Sequence, residues 1–206
     1  MIDSNKPFSQ SCENNRAVIL AELERLLEYG QKVLEVGSGT GQHAVYFAGQ
    51  LPRLIWQTSD QLQYHAGIKL WLNDAALNNT LAPLELDVRS VDWSAMTYDA
   101  VFTANTLHIM AADAAENFVG RVSSALPPGG LFIAYGPFNY DGRYSSESNA
   151  LFDIWLKQQN PLSGIRDFEV LNQCAAQGGM HLLEDIVMPT NNRLLVWRKS
   201  EHLPHQ

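Results

Sequence analysis

Three alternate glycines, Gly37, Gly39 and Gly41, close the run Val33-Leu34-Glu35-Val36-Gly37-Ser38-Gly39-Thr40-Gly41. No other feature restricts the fold of this 206-residue chain so tightly. Lys32–Val36 reads as a short strand, and about Thr40–Leu51 as a helix. Glycines between a strand and a helix allow a sharp turn and let a ligand approach the backbone, while the helix that follows offers unpaired N–H groups. A plain connector has no use for three such residues, because each one costs backbone entropy on folding.

The rest of the chain continues the alternation. Apolar residues at helical spacing mark a helix over about Asn14–Tyr29, with Gly30 as its stop. Strands follow at Leu54–Ser59, Leu84–Val88, Tyr98–Thr103 and Leu131–Tyr135. Helices are expected over Tyr64–Leu77, Asp113–Leu126, Ser146–Gln159 and Asp167–Gln177, with Asp113 and Glu116 as a capping box for the second. Leu182–Met188 and Leu194–Arg198 are joined by Pro189-Thr190-Asn191-Asn192, too short for a crossover helix, so this pair is an antiparallel hairpin. The pattern predicts an α/β fold: a doubly wound, Rossmann-like, seven-stranded sheet, mostly parallel, with one antiparallel strand from the C-terminal hairpin. No linker divides it, so residues 1–206 are expected to be a single domain with a polar arm at 1–12 and a polar tail at 200–206. In such sheets, ligands bind at the carboxyl ends of the strands.

Composition narrows the class. Lys and Arg total 14 against 22 Asp and Glu, a net charge of −8. An acidic chain lacks the counterion-release term of nucleic-acid binding and is repelled by anionic lipid, so neither nucleic acid nor membrane is an expected partner. No apolar stretch reaches the roughly 18 residues of a membrane span. The polar N-terminus is not a signal peptide, and the two cysteines, Cys12 and Cys174, make no disulfide framework. A cytoplasmic location is expected. Six histidines without a paired spacing offer no metal site. The five tryptophans are scattered and read as packing residues.

Two acids sit where adenosine recognition would use them. Asp60 follows the second strand, where a carboxylate can accept both ribose hydroxyls. Asp87 is expected at the end of the third, where it can read an adenine. The glycines are spaced G-x-G-x-G, whereas a dinucleotide fingerprint is G-x-G-x-x-G. Asp60 fits a nicotinamide dinucleotide as well as another adenosine ligand, whereas the glycine spacing and Asp87 weigh against the dinucleotide.

These residues resemble a class I, S-adenosylmethionine-dependent methyltransferase: E-x-G-x-G-x-G from Glu35, then acids after strands two and three. A closer resemblance is to the methyltransferase-like family known as domain of unknown function 938 (DUF938). It rests on Glu13-Asn14-Asn15-Arg16, Asn105-Thr106-Leu107-His108-Ile109, Tyr135-Gly136-Pro137-Phe138, Ser148-Asn149, Phe152-Asp153, Gly164-Ile165-Arg166-Asp167 and Met188-Pro189-Thr190-Asn191-Asn192. The resemblance implies that Glu35, Gly37 and Gly39 surround the methionine part of S-adenosylmethionine, with Ser38 and Gly41 in the same turn. It further implies that Asp60 holds the ribose, that Asp87 and Val88 contact the adenine, and that Asn105 lies near the sulfonium and its methyl group.

The acceptor side is read from loops at the same sheet end. His108 has the reference pKa of a general base. Tyr135 and Phe138 follow strand five and would wall a pocket. Asn191 and Asn192 would hold a polar acceptor if the sixth strand runs parallel to the others. Asn15 and Arg16 are assigned to the substrate, and Arg143 and Arg166 are further cations that could meet an anionic group. The expected function is methyl transfer from S-adenosylmethionine to a small molecule. The alternatives are a non-catalytic module binding the same cofactor, another group transfer from it, and an NAD(P)-dependent oxidoreductase.

Overall fold

The computed structural model describes residues 6–28 and 31–201. The chain divides into two compact units, one up to Asp87 and one from Val88. The first contains α1 (Gln10–Leu26), β1 (Lys32–Val36), α2 (Gln42–Gln50), β2 (Ile55–Asp60), α3 (His65–Ala75) and β3 (Thr80–Glu85). The second contains β4 (Ala100–Ala104), α4 (Ala112–Arg121), β5 (Leu131–Gly136), β6 (Phe138–Asn139), α5 (Glu147–Gln159), β7 (Arg166–Asp167), α6 (Phe168–Gln177), β8 (Met180–Met188) and β9 (Asn192–Lys199).

The long strands make the expected seven-stranded α/β sheet, ordered β3-β2-β1 within the first unit and β4-β5-β9-β8 within the second. β1, β2 and β3 are parallel, as are β4 and β5. β9 alone runs against its neighbours β5 and β8. β8 therefore runs with β5, and the turn before Asn192 stands at the carboxyl end of the second unit's strands. A separate parallel pair, β6 with β7, had no periodic signal at two residues each.

Several boundaries moved for local reasons. α1 starts at Gln10, earlier than expected, because the Ser9 hydroxyl caps it by accepting from the Cys12 N–H at 3.4 Å. Its expected end at Tyr29 and stop at Gly30 lie outside the described residues, as do residues 1–5 of the arm and 202–206 of the tail. Asp113 is not a cap: α4 begins one residue earlier behind Ala111, whose extended backbone supplies the first carbonyl. Asp113 instead meets Arg89 at 3.5 Å. β3 starts at Thr80 and ends at Glu85, which leaves Asp87 in the following loop. Pro83 cannot donate to a ladder, and the β2–β3 register shifts around it. Side chains close the gap: Gln57 Nε2 donates to Ala82 O at 2.6 Å, and Thr58 Oγ1 to Leu81 O at 3.0 Å.

The second unit's core contains an aromatic row that the tryptophan spacing alone did not show. Trp93 stacks on Phe118 at 5.3 Å, Phe118 meets Phe132 edge-on at 5.3 Å, and Phe132 stacks on Trp197 at 5.4 Å. All four are essentially fully buried, an arrangement worth roughly 0.5–1.5 kcal/mol per ring pair beyond the area buried.

Candidate functional site

In the first unit the glycine turn is built as its sequence requires. Gly37, Gly39 and Gly41 have φ of 78°, 56° and 91°, all in the left-handed region. At Gly41 there is also no room, since a Cβ would stand 3.1 Å from the Ile68 Cα. At Gly39 the reverse holds: a Cβ would meet nothing within 4 Å, so this face of the turn is open.

Beneath the turn lies a polar network. The Glu35 carboxylate accepts from Ser38 Oγ at 2.8 Å and from the Trp56 indole N–H at 3.1 Å. Ser38 Oγ in turn accepts from the Ser59 N–H at 3.1 Å, and the Gly37 and Ser38 N–H groups both donate to Ser59 O at 3.0 Å. Glu35 is 2 % exposed, and burial pushes its pKa up to about 7. Its carboxylate and the Ser38 hydroxyl are thus turned into the protein, where both hold the loop. Trp56, read from sequence as packing only, belongs to this network; the parallel β1–β2 register carries it there, and sequence contains no signal of it.

Asp60 ends β2. One carboxylate oxygen accepts from the Gly39 N–H at 2.8 Å and the other from the Gln61 N–H at 2.8 Å. Burial raises its pKa, against the two N–H bonds. Each oxygen keeps a second lone pair for a hydroxyl donor. Asp87 is exposed past the end of β3, and the next residue, Val88, is buried.

The Glu13–Arg16 segment does something other than expected. Asn15 is buried and its Oδ1 lies 2.7 Å from His43 Nε2, joining α1 to α2. Burial lowers the His43 pKa to about 4, so the ring is neutral in this bond. Arg16 pairs with Glu13 at 2.7 Å and lies over the Tyr46 ring at 4.6 Å. Gln42, at the first position of α2, accepts from the Ser9 N–H at 2.5 Å and donates to Glu13 Oε1 at 2.8 Å. The segment therefore clasps the start of the helix behind the glycine turn, with Asn15 buried and Arg16 half-buried.

In the second unit, Asn105 follows β4 with φ of 55°, and its N–H donates to Tyr135 O at 2.9 Å. A left-handed non-glycine residue at a strand end is a strained position of the kind that clusters at functional sites. Asn105 Oδ1 and His108 Nδ1 both flank Gly136, 3.9 Å and 3.7 Å from where its Cβ would stand. The His108 ring packs edge-on against Phe152 at 5.3 Å. Burial, helped by the Arg166 charge, lowers the His108 pKa to about 4. Tyr135 and Phe138 are buried, so they fill the core and do not line an open pocket. Arg166 is a staple, donating to Leu107 O at 3.3 Å, Met110 O at 2.7 Å and Leu162 O at 2.9 Å. Arg143 sits in an exposed turn opposite Tyr140.

The Asn191-Asn192 turn is tied to the start of α5. Asn149 Nδ2 donates to Asn191 O at 3.0 Å and to Ser145 Oγ at 2.8 Å, and Asn191 Nδ2 donates to Ser148 Oγ at 3.0 Å. Asn192 uses its amide within the turn, on Pro189 O at 3.1 Å and Thr190 Oγ1 at 3.0 Å. Further along α5, the buried Asp153 accepts from the Ile165 N–H at 2.7 Å, the Tyr144 hydroxyl at 2.7 Å and Lys157 Nζ at 2.5 Å. Segments apart in the chain thus bond in pairs: Ser148-Asn149 with Asn191, Asp153 with Ile165, Gly164 with His108, Arg166 with the loop after β4. Among the described residues no group of three His, Cys, Asp or Glu side chains could hold a metal ion.

A glycine turn after β1, with an acid closing β2, on a seven-stranded sheet with one antiparallel strand, is the architecture of the class I methyltransferases. Solved structures agree on the fold. An O-methyltransferase family protein from Burkholderia thailandensis superposes with a TM-score of 0.81 at 17% identity, over 94% of this chain and 57% of that one. The S-adenosylmethionine-dependent methyltransferase SibL in its apo form gives 0.77 at 19% identity, over 92% and 56%. An O-methyltransferase family 2 protein from Planctomyces limnophilus, in complex with apigenin, gives 0.73 at 14%, over 90% and 62%. The chain spans less than two thirds of each of these proteins. By sequence the chain belongs to the family described as protein of unknown function, DUF938, matched over residues 6–199.

Proposed function

We propose that this protein is an S-adenosylmethionine-dependent methyltransferase that acts on a small molecule in the cytoplasm. The observation that carries this reading is the glycine turn: left-handed at three positions, open at Gly39, and bonded through the Gly39 N–H to the acid that ends the next strand. The residues fit a nucleoside. The open backbone of Gly37–Gly41 would take the methionine part, the spare lone pairs of Asp60 the ribose hydroxyls, and Asp87 with Val88 the adenine. Glu35 and Ser38 would keep the turn in shape from below. Bound S-adenosylmethionine supplies a methyl carbon on a sulfonium, open to in-line displacement by an acceptor lone pair.

In the second unit, Asn105 is assigned to the methyl side by its place after β4 and its left-handed backbone. A general base works best with a pKa near the operating pH, and His108 falls well below it. We therefore give His108 a shaping role beside Asn105.

Calorimetry with S-adenosylhomocysteine and NADH tests the cofactor, with micromolar binding of the first and none of the second expected. Incubation with methyl-labelled cofactor and a metabolite extract then tests turnover. Tight NADH binding alone would refute the reading. Cofactor binding with no labelled product under any condition would leave a non-catalytic module.

A further inference from the structure

Among the described residues, the clefts large enough for a small molecule include two at strand ends. The larger, about 460 Å³, lies along α3 and is lined by Thr80, the first residue of β3, which puts it at the amino end of that strand. Ligands of open α/β sheets bind at the carboxyl ends, so this cleft is at the wrong edge. The second, about 310 Å³, is lined by Tyr140, Ser145, Val187, Asn191, Asn192 and Arg193. Arg193 pairs with Gly136, the last residue of β5, and Asn192 with Met188, the last of β8. This cleft is therefore at the carboxyl edge of the second unit, and its volume lies at the low end of the roughly 300–1,000 Å³ usual for small-molecule sites.

Its walls are held stiff by bonds among themselves. The Tyr140 hydroxyl donates to Asp185 Oδ2 at 2.8 Å, and Arg193 Nε donates to Asp185 Oδ1 at 2.7 Å. The Tyr140 ring packs on Phe168 at 5.3 Å, and the Arg193 guanidinium lies 5.6 Å from its centroid. Asn149 holds both Ser145 and Asn191 from behind. Val187, by contrast, is 74% exposed, an apolar side chain at the rim with no packing role of its own.

The chemistry of this lining is specific. Asp185 already matches the one lining cation, Arg193. The remaining groups are amides, a hydroxyl, a phenol and an aliphatic side chain. A charged ligand would give up hydration for no opposite charge, whereas an uncharged ring could lie against Tyr140 and Val187 and bond to the amides. We infer that this cleft is the acceptor subsite and that it takes an uncharged, hydroxylated aromatic ring. The inference rests on the methyltransferase reading for the word acceptor, but the cleft itself does not depend on the cofactor.

Catechol, 4-hydroxybenzoate and tyramine serve as neutral, anionic and cationic probes in an NMR titration of the full chain at pH 7.5, with and without S-adenosylhomocysteine. Catechol is expected to bind at least tenfold tighter than either charged ring. Val187→Trp, which fills the cleft from an exposed position, should weaken catechol at least tenfold and leave S-adenosylhomocysteine affinity within twofold. Ser145→Asp, which adds a negative charge to the wall, should shift the preference toward tyramine. No catechol binding to the wild type, equal binding of a charged probe, or an unchanged affinity in Val187→Trp would overturn the subsite. Catechol binding that Val187→Trp abolishes, in a protein that never binds S-adenosylhomocysteine, would keep the subsite and sink the methyltransferase reading.

Discussion

The glycine turn of the first unit and the α5–β9 region of the second both place a carboxylate inside the protein, but they treat its charge oppositely. Glu35 is held by a hydroxyl and an indole N–H, neutral donors that do not offset burial, and its pKa rises to about 7. Asp153 is equally hidden from solvent, yet Lys157, Tyr144 and the Ile165 N–H outweigh burial and its pKa falls. The difference teaches what each carboxylate is for. The first supports a backbone turn that must stay open on its other face. The second ties remote segments together through a salt bridge and two hydrogen bonds.

The strongest way to break the comparison is to fill the open face. Gly39→Val should abolish detectable S-adenosylhomocysteine binding in calorimetry. The fold should survive, because a Cβ there meets nothing within 4 Å; the free energy of unfolding should fall only by the roughly 1–2 kcal/mol of a left-handed branched residue. A variant that still binds with wild-type affinity would remove the cofactor from this turn.

The next effect is one of pH. A carboxyl whose folded pKa is raised from 4.5 to about 7 contributes stability below 4.5 that is lost as pH rises toward 7. Urea titrations of wild type and Glu35→Gln across that window should diverge by about 3 kcal/mol, with the wild type losing stability relative to the variant. Parallel curves would show that Glu35 is not the buried acid described here.

Asp60→Ala removes acceptors from the Gly39 and Gln61 N–H groups and from the ribose at once. It should weaken S-adenosylhomocysteine binding by about 1–3 kcal/mol. Asp153→Asn is the smallest change and sharpens the contrast with Glu35. A depressed carboxylate contributes stability above its unfolded pKa that is lost as pH falls through the folded one. The variant should be about 1 kcal/mol less stable at pH 7, since Lys157 is more than half exposed. The deficit should close on acidification, opposite in direction to Glu35→Gln, and a deficit that widens at low pH would contradict the assignment.

The two regions also differ in how far they could be read before folding. Gly37, Gly39, Gly41 and Asp60 were legible because local rules bind them: a strand, a turn that only glycine permits, and an acid one βα unit later. Asp87 was misplaced relative to its strand because β3 ends at Glu85, opposite Asp60, the last residue of its partner β2, a limit set by pairing that periodicity does not record. Asn15 was legible as a motif residue, but its partner His43 was not, since only the docking of α1 on α2 brings them together. The cleft was hardest to see. Asn191 and Asn192 were found as turn residues, whereas Tyr140, Ser145 and Arg193 carried no motif.

What the residues determined by themselves is whatever depends on backbone conformation over a few positions: the strand–turn–helix, the hairpin too short to cross over, the alternation that makes a mostly parallel sheet. What only the tertiary structure decided is which side chains spend their hydrogen bonds on each other. Glu35 and Arg166 looked like ligands because of their chemistry, and each is committed inward by a partner that the chain brings up from elsewhere. Burial makes an unpaired polar group costly, so folding satisfies such groups first, and the acceptor is left to the amides and rings that remain at the rim of the cleft.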